Sequence, residues 1–381
     1  MRLEQRRWTR QSGWEPQGLA TAVPASVHWV LVFGDTALLR TQTGLADIRR
    51  AYPNAQIVGC STAGEIYGTQ ISDESLVVTA VHFDHTRIMT QKVSVQQASQ
   101  SAQAGEQLAK ALSAKDLIHV LIISDGQRVN GSELVRGMTR HLPEGVAVTG
   151  GLSGDGARFQ QTLVFLNDAP QEGNIVAVGF YGDRLKVGYG SLGGWDSFGP
   201  ERLVTRSSGN VLYELDGKPA LELYKQYLGD HACGLPATGL LFPLSIRSED
   251  GKREIVRTIL AVDEKFQSMT FAGDVPEGTY ARLMKANFDR LVDGAQGAAK
   301  TSHEAMGSVS PDLAILISCV GRRLVLKQRT EDEIEAVRSV LGERTVLTGF
   351  YSYGEICPAA PNASCELHNQ TMTVTTFSEV N

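Results

Sequence analysis

The chain has 381 residues, a length that predicts two or three domains, each able to bury its own core. Hydrophobic residues make up 42 % and charged residues 20 %, which is the composition of a folded globular protein and excludes intrinsic disorder. The 36 Lys and Arg against 42 Asp and Glu give a formal net charge of -6, and no stretch concentrates basic residues into a phosphate-binding face, so nucleic acid is not an expected partner.

The predicted ordered core begins near Val27, after an N-terminal extension (1–26) without clean periodicity. The apolar run VHWVLVFGD (27–35) predicts a buried strand, a helix follows over 43–52, and AQIVGCS (55–61) predicts a second strand. Two further extended segments lie between residues 75 and 95. We therefore expect a β-α-β unit completed by antiparallel strands.

The same order of elements recurs after residue 119. VLIISDG (120–126) predicts a strand, 132–141 a helix, and VAVTGG (146–151) the next strand. The intervening region, from about 200 to 310, contains a predicted helix over Gly209–Leu228 and several extended stretches.

A third copy lies near the C-terminus, where LAILISCVG (313–321) predicts a buried strand. The helix that follows shows a capping-box pattern at Thr330 and Glu333, with Gly342 as its stop. We therefore predict an α/β fold of duplicated mixed-sheet modules (β-α-β plus antiparallel strands) in two consecutive domains, 27–210 and 211–381.

A glycine-bounded turn ending in an acid follows the second strand of each copy. We expect the glycines to provide positive φ or close backbone approach, and the two Gly-Glu-Ile turns to be structurally equivalent. Each acid has two open interpretations: it accepts backbone N–H groups and holds its loop, or it contacts a ligand at the carboxyl end of the strands. The predicted ligand-site residues are Gly59, Ser61, Gly64, Glu65, Gly150, Gly154, Asp155, Gly349, Tyr351, Gly354 and Glu355.

The sequence contains partial matches to enzyme motifs, but the residues around them do not fit those motifs. The G-x-G-x-x-G letters at 188–193 precede WDSFGP instead of a helix, and no phosphate-binding G-x4-G-K-[ST] occurs. Cys60 and Ser61 lie in a near match to a nucleophile elbow whose last glycine is Ala63. We expect this turn to be structural and the protein not to be an enzyme.

The five cysteines form no C-x-x-C pair, which argues against a disulfide framework and a structural zinc site and for a reducing compartment. The N-terminus lacks an apolar signal segment, and the longest apolar runs are too short to span a bilayer. We expect a cytoplasmic protein that does not act at a membrane.

Six segments in order resemble the FIST family of bacterial and archaeal sensory proteins: VGCSTAGEI (58–66), TGGLSGDG (149–156), GKPALELYKQYLG (217–229), LLFPLSI (240–246), GFYSYGEICP (349–358) and LHNQTMTVT (367–375). The resemblance implies a small-ligand sensor for signal transduction, of a kind often fused to or encoded beside histidine kinases. Since two FIST halves leave no residues for an output domain, we expect it to regulate a separate signalling protein, such as a histidine kinase.

Stand-alone FIST proteins of this type resemble the nitric-oxide-sensing haem proteins of the NosP group, so the expected cofactor is haem b and the expected ligand nitric oxide. The chain has no C-x-x-C-H attachment motif, which implies non-covalent haem. His231 is the candidate axial ligand, chosen because small and apolar residues follow it and not from the family pattern. Tyr or Cys ligation stays open, as does a colourless sensor of a small metabolite such as an amino acid; an enzyme is the least favoured alternative.

Overall fold

The structure is a computed structural model that describes residues 1–20, 26–247, 254–359 and 363–380. Up to residue 192 its strands are β1 (Arg2–Thr9), β2 (Gly13–Glu15), β3 (Trp29–Gly34), β4 (Gln56–Ser61), β5 (Glu65–Tyr67), β6 (Gln70–Ser72), β7 (Ser75–His82), β8 (Arg87–Ser94), β9 (Leu117–Ser124), β10 (Ala147–Leu152), β11 (Val164–Leu166), β12 (Asn174–Tyr181) and β13 (Leu185–Leu192). A central group follows, comprising β14 (Trp195–Ser208), β15 (Val211–Leu215), β16 (Lys218–Pro219), β17 (Leu244–Arg247), β18 (Glu254–Arg257), β19 (Ile259–Asp263), β20 (Ser268–Phe271) and β21 (Tyr280–Ala286). The last strands are β22 (Leu313–Cys319), β23 (Val346–Ser352), β24 (Gly354–Pro358), β25 (Cys365–His368) and β26 (Met372–Glu379).

The α-helices connect these strands and cover the outer faces of the sheets. In chain order they are α1 (Thr36–Arg40), α2 (Leu45–Ala51), α3 (Ser101–Leu112), α4 (Gly131–Thr139), α5 (Ala220–Leu228), α6 (Phe288–Ala305), α7 (Val320–Leu326) and α8 (Thr330–Leu341). None of the helices in the described ranges is long and apolar enough to cross a bilayer.

Three of the sheets share one plan, in which two parallel strands lie beside an antiparallel third. Module 1 (29–82) contains β3, β4 and β7; module 2 (117–181) contains β9, β10 and β12; module 3 (313–379) contains β22, β23 and β26. The parallel strands are almost continuously apolar because both of their faces are buried. The predicted mixed α/β fold of duplicated modules is confirmed.

The modules are interlocked by exchanged strands, which the sequence did not predict. After its glycine turn, module 1 sends β5 to pair with β23 of module 3, and module 3 sends β24 to pair with β10 of module 2. Module 2 completes the cycle, because β11 pairs with β4 of module 1. Each module therefore supplies strands at the edge of another module's sheet: β11 alone, β5 with β6, and β24 with β25.

The inner faces of the three sheets share one aromatic core. The rings of Phe33 and Phe350 lie 4.8 Å apart, and Phe180 lies 5.2 Å from Phe377 and 5.3 Å from Trp29. These contacts join all three modules, so the large rings bury apolar area that no single module would bury alone.

The central group forms an eight-stranded antiparallel sheet, here called the inserted sheet (195–286), between β13 and α6. The predicted helix over Gly209–Leu228 is wrong in its first half. Gly209, Asp216 and Gly217 have positive φ and turn the chain into the β14–β15 hairpin and the short β16, so the helix begins only at Ala220.

Two other expectations are wrong. The ordered core does not start near Val27, because β1 pairs with β7 along all eight of its residues; its polar sequence carries no strand signal without that partner. The Thr330–Glu333 capping box does not form. Glu333 is instead buried against the guanidinium of Arg322, while Gly342 caps the helix as predicted.

Candidate functional site

The first glycine of each turn lies against the carbonyl of the neighbouring parallel strand. A Cβ at Gly59 would lie 2.5 Å from the carbonyl oxygen of Val32, and at the two equivalent glycines the approach is closer still. Those glycines and their carbonyl partners are Gly150 with Ile122 and Gly349 with Leu316. The two Gly-Glu-Ile turns are equivalent, as predicted. Each connects the second parallel strand of a module to the strand that pairs with another module.

Glu65 and Glu355 form matching contacts, which we call the hydroxyl clasps. The Glu65 carboxyl is 1 % exposed and accepts hydrogen bonds from Thr62 Oγ1 at 2.5 Å and Ser75 Oγ at 2.7 Å. Glu355 accepts from Ser352 Oγ at 2.5 Å and from Thr371 Oγ1 at 3.0 Å. Burial raises the pKa of both carboxyls to about 8, so most molecules hold these protons at neutral pH.

Asp155, in the turn of module 2, is held differently. Its carboxylate accepts the backbone N–H groups of Phe159, Gln160 and Gln161 at 2.8–2.9 Å, together with the phenol of Tyr353. Three backbone donors and a phenol satisfy an anionic carboxylate, so Asp155 holds its own loop in the first of the two predicted ways.

Backbone hydrogen bonds bring the three turns together. Ala63 N–H donates to the Tyr351 carbonyl at 2.8 Å, and Tyr351 N–H donates to the Gly64 carbonyl at 2.9 Å. Gly154 N–H donates to the Ser61 carbonyl at 3.0 Å, which links the second turn to the first. The turns therefore form one junction between the modules.

A cavity of about 370 Å³, here called the strand-end groove, opens beside this junction at the carboxyl ends of β3 and β4. It is lined by Arg10, Asp35, Ala37, Leu38, Thr62, Ala63, Gly64, Glu65, Asp73, Glu74, Gly156 and Arg158. Such strand ends are where α/β sheets bind ligands. The groove contains side chains of both charges around the buried Glu65.

Asp35 and Arg158 are arranged by local structure. One oxygen of Asp35 caps α1 by accepting the N–H groups of Ala37 and Leu38 at 2.8 and 3.3 Å, and its other oxygen lies 3.6 Å from an Arg158 nitrogen. Arg158 is half exposed and lies 4.0 Å from Asp155. Its guanidinium therefore faces the groove without a close bidentate partner among the described residues.

A second cavity, of about 470 Å³, adjoins the groove and shares Ala63 and Gly156 with it. Arg323 of α7 lies at the boundary. Its guanidinium donates to both carboxylate oxygens of Asp73 at 2.5 and 2.7 Å and to the Ala63 carbonyl at 2.6 Å. This ion pair joins module 3 to module 1 at the rim of the groove.

The predicted site residues separate into two groups. Gly64 and Glu65 line the groove, and Asp155 holds the loop that carries Gly156 and Arg158. The others are buried in strands or turns and line neither cavity: Gly59, Ser61, Gly150, Gly154, Gly349, Tyr351, Gly354 and Glu355. Their assignment to a ligand site stays a prediction.

Two further residues at the groove differ in how far local sequence indicates them. Asp35 is the last residue of the first predicted strand (27–35), so the sequence itself places it at a strand end. Arg323 comes from the other end of the chain, and no local pattern connects it with Asp73.

His231 lies on the inserted-sheet side of the molecule, in a 3₁₀ turn over Gly229–Gly234. Its side chain is exposed, and its ring lies 5.3 Å from the ring of Phe242. It lines neither the groove nor the adjoining cavity. In the described ranges, no three His, Cys, Asp or Glu side chains are grouped as a metal site.

Comparisons with known proteins identify both halves of the chain. Residues 28–218 match the FIST N domain and residues 220–358 match the FIST C domain. An uncharacterized protein of Methanocaldococcus jannaschii is 22 % identical over an alignment of 313 residues that covers 76 % of this chain; the chain spans 59 % of that relative's length. A crystal structure of a cyanuric acid hydrolase from A. caulinodans aligns over 100 % of both chains, with 9 % identity and a TM-score of 0.38.

Proposed function

The chain belongs to the FIST family, whose domains are associated with sensory signal transduction, and on that premise we propose that it binds a small zwitterionic metabolite, such as an amino acid, in the strand-end groove. Binding would then change the activity of a separate signalling protein, such as a histidine kinase, in the cytoplasm. The observation that carries the proposal is the groove itself, in which both signs of charge lie at the carboxyl ends of parallel strands.

The charges suit a ligand that has both a carboxylate and an ammonium group. Arg10 and Arg158 supply guanidinium groups, which bind carboxylates in two-point contacts. Asp73 and Glu74, which also line the groove, supply acceptors for an ammonium group. The volume of about 370 Å³ lies at the lower end of the ~300–1,000 Å³ typical of small-molecule pockets.

The raised pKa of Glu65 should make ligand binding measurable as a release of protons. Its pKa is raised to about 8 by burial, and an ammonium group placed beside it would favour the ionised carboxylate and lower that pKa. Binding of a zwitterion at pH 7 should therefore release protons, and Glu65→Gln should abolish the release.

The ion pair between Arg323 and Asp73 offers a route from binding to a change of surface. A ligand ammonium that takes over Asp73 would compete with Arg323, whose other hydrogen bond is to the Ala63 carbonyl. Release of Arg323 would free α7 from module 1, so the liganded and unliganded states would present different surfaces to a partner.

Calorimetric titration with a panel of L-amino acids tests the proposal. We expect saturable binding of one or more of them, weakened at least tenfold by Asp73→Asn and by Arg158→Gln. Glu144→Gln and Arg206→Gln are the matched controls, because both side chains are exposed and lie outside the groove. Equal affinities in the groove variants and the controls would contradict the proposal.

We propose binding and not catalysis as the mode of action, and the environment of the near-elbow motif supports this choice. Cys60 is buried, and burial raises the pKa of its thiol well above the ordinary value, which disfavours the nucleophilic thiolate. Ser61 Oγ is also buried and accepts the N–H of Leu163 at 2.8 Å within the sheet.

Non-covalent haem b with nitric oxide as the sensed ligand, as in the NosP group, is the second candidate. The supporting observation is the exposed imidazole of His231, for which the described residues provide no side-chain hydrogen bond. The fit is limited, because His231 lines neither the strand-end groove nor the adjoining cavity, and among the described residues the aromatic ring beside it is that of Phe242. Neither the proton release from Glu65 nor the release of Arg323 from Asp73 involves haem.

An absorption spectrum with added haem tests this candidate directly. A Soret band that is altered by His231→Ala would support haem ligation there. An autophosphorylation assay with the candidate kinase, comparing apo, haem-loaded, nitric-oxide-bound and amino-acid-bound protein, then shows which ligand regulates. Kinase rates that are identical in every state would contradict regulation by either ligand.

A further inference from the structure

A separate cavity of about 340 Å³ lies between α4 of module 2, the β17–β18 hairpin of the inserted sheet, and β25. It shares no lining residue with the strand-end groove. Its walls come from both family domains, since α4 belongs to the FIST N match and the hairpin to the FIST C match. Cavities at such junctions are frequent ligand sites. We call it the Arg257 cavity.

Arg257, the last residue of β18, is 7 % exposed and lines this cavity. Its guanidinium donates to the carbonyl oxygens of Asp274 and Leu367, both at 3.0 Å. No carboxylate lies within ion-pair distance of it in the described ranges. Gly273 makes room for the group, because a Cβ there would lie 3.0 Å from the guanidinium carbon.

Arg322 is another buried arginine of the same molecule, and it has a carboxylate partner. Arg322 and Glu333 are both fully buried, and Arg322 Nη2 lies 2.7 Å from a Glu333 oxygen. Arg322 also donates to two backbone carbonyls, as Arg257 does. A buried charge without a close counter-ion is costly, and Arg257 lacks what Arg322 has, namely a carboxylate within ion-pair distance.

Among the described residues, Arg257 is the lining arginine without an ion pair. Arg136 and Arg247 are partly exposed and paired: Arg136 lies 2.7 Å from Glu133 and 3.1 Å from Asp274, and Arg247 lies 3.2 Å from Glu201. The two acids of the lining, Asp274 and Glu366, act on Arg257 only from beyond ion-pair distance. Burial lowers the pKa of Arg257 to about 10, so it stays cationic at neutral pH.

The rest of the wall combines an apolar surface with the hydroxyl groups of Ser132, Thr139 and Ser364. Val135 on α4 faces side chains from the hairpin and from β25, and the apolar lining residues are Val135, Ile246, Ile255, Pro276, Cys365 and Leu367. An inorganic anion would leave this surface without contacts, whereas a carboxylate with a hydrocarbon body would cover it.

We propose that the Arg257 cavity binds a small monocarboxylate with an apolar body. The carboxylate contacts Arg257 and Arg136, and the body lies between α4 and the β17–β18 hairpin. Such a ligand joins the inserted sheet to module 2 and stabilises one arrangement of the two family domains. This site does not depend on the groove and would be a second input to the protein.

Hexanoate and phenylacetate are the probes, with hexanamide and phenylacetamide as neutral counterparts of the same shape. Titration calorimetry at fixed ionic strength should show at least tenfold tighter binding of each carboxylate than of its amide. Arg257→Met and Arg136→Gln should each weaken hexanoate binding at least tenfold, and Arg257→Lys should weaken it less than Arg257→Met, because lysine keeps the charge but loses the two-point contact.

Arg206→Gln, on an exposed arginine paired with Glu214, is the matched control and should bind hexanoate as the wild type does. Asp73→Asn should also leave hexanoate binding unchanged, which separates this site from the groove. Equal affinity for carboxylate and amide, no saturable binding, or an unchanged affinity in Arg136→Gln would overturn the proposal. Because Arg136 is partly exposed, its variant decides the matter if Arg257→Met does not fold.

Discussion

The turns that end in Glu65 and Glu355 and the turn that ends in Asp155 derive from one repeat but use their acids in different ways. Each glutamic acid is held by hydroxyl groups in a buried clasp, with a pKa of about 8. Asp155 accepts three backbone N–H groups and a phenol. The backbone path is preserved while the chemistry at its end differs.

The difference shows which acid is available to a ligand. An aspartate bonded to three backbone donors cannot change partners without unfolding its loop, whereas rotating hydroxyls can release a carboxyl at little cost. Glu65 lines the strand-end groove, and Asp155 supports the loop that carries Arg158 to it. Under the proposed function, module 1 therefore supplies the acid that responds to the ligand and module 2 supplies the rigid support.

The largest expected effect tests what the three turns share. Gly349→Ala would place a Cβ against the carbonyl oxygen of Leu316 on the adjacent strand, which neither strand can avoid. We expect a loss of unfolding free energy of about 4 kcal/mol or more, measured by chemical denaturation.

Gly68→Ala is the control for the glycine backbone alone, since Gly68 has a φ of 59° and a Cβ at this position would have no described neighbour within 4 Å. It should cost only about 1 kcal/mol. Similar losses in the two variants would show that the close approach is not what the repeat requires.

A smaller effect separates the two kinds of acid. Asp155→Ala removes the acceptor of three backbone N–H groups and the Tyr353 phenol, and we expect a loss of about 3 kcal/mol in unfolding free energy. Loss of the loop should also weaken ligand binding in the groove, because Arg158 lies on it. A denaturation midpoint unchanged from the wild type would contradict the supporting role of Asp155.

The smallest effect at neutral pH is expected from Glu65→Gln combined with Glu355→Gln, at about 1 kcal/mol or less, since the amide resembles the protonated carboxyl. The raised pKa values predict the pH dependence. The folded state keeps two protons that the unfolded state loses above about pH 4.5, so wild-type stability from these groups falls as pH rises toward about 8 and then levels off.

Melting temperatures measured from pH 5 to 9 check this prediction. The double variant should have a flatter profile than the wild type over that interval. The opposite result would be a melting temperature that rises with pH through this interval, by the same amount in the wild type and in the double variant. It would mean that the two clasps hold ionised carboxylates.

Local sequence was enough to predict the modules but not their connections. The apolar runs at β3, β9 and β22 and the glycines that follow them were identified because each signal lies within a few residues. The strand β1 was missed, since RLEQRRWT becomes a strand only beside β7. The hydroxyl clasps could not be predicted from local sequence either, because Ser75 lies ten residues beyond Glu65 with another strand between them.

By itself, the sequence determined the repeated strand, turn and acid, because steric limits at a glycine and burial of apolar strands act locally on the chain. Only the tertiary structure decided which partner each buried charged side chain has. Arg322 and Glu333 are eleven residues apart and meet as a pair, whereas Arg257 is left to face a cavity built from both domains. Electrostatic energy depends on distance in space and on burial, and both are fixed by how the modules exchange strands and pack around their common core.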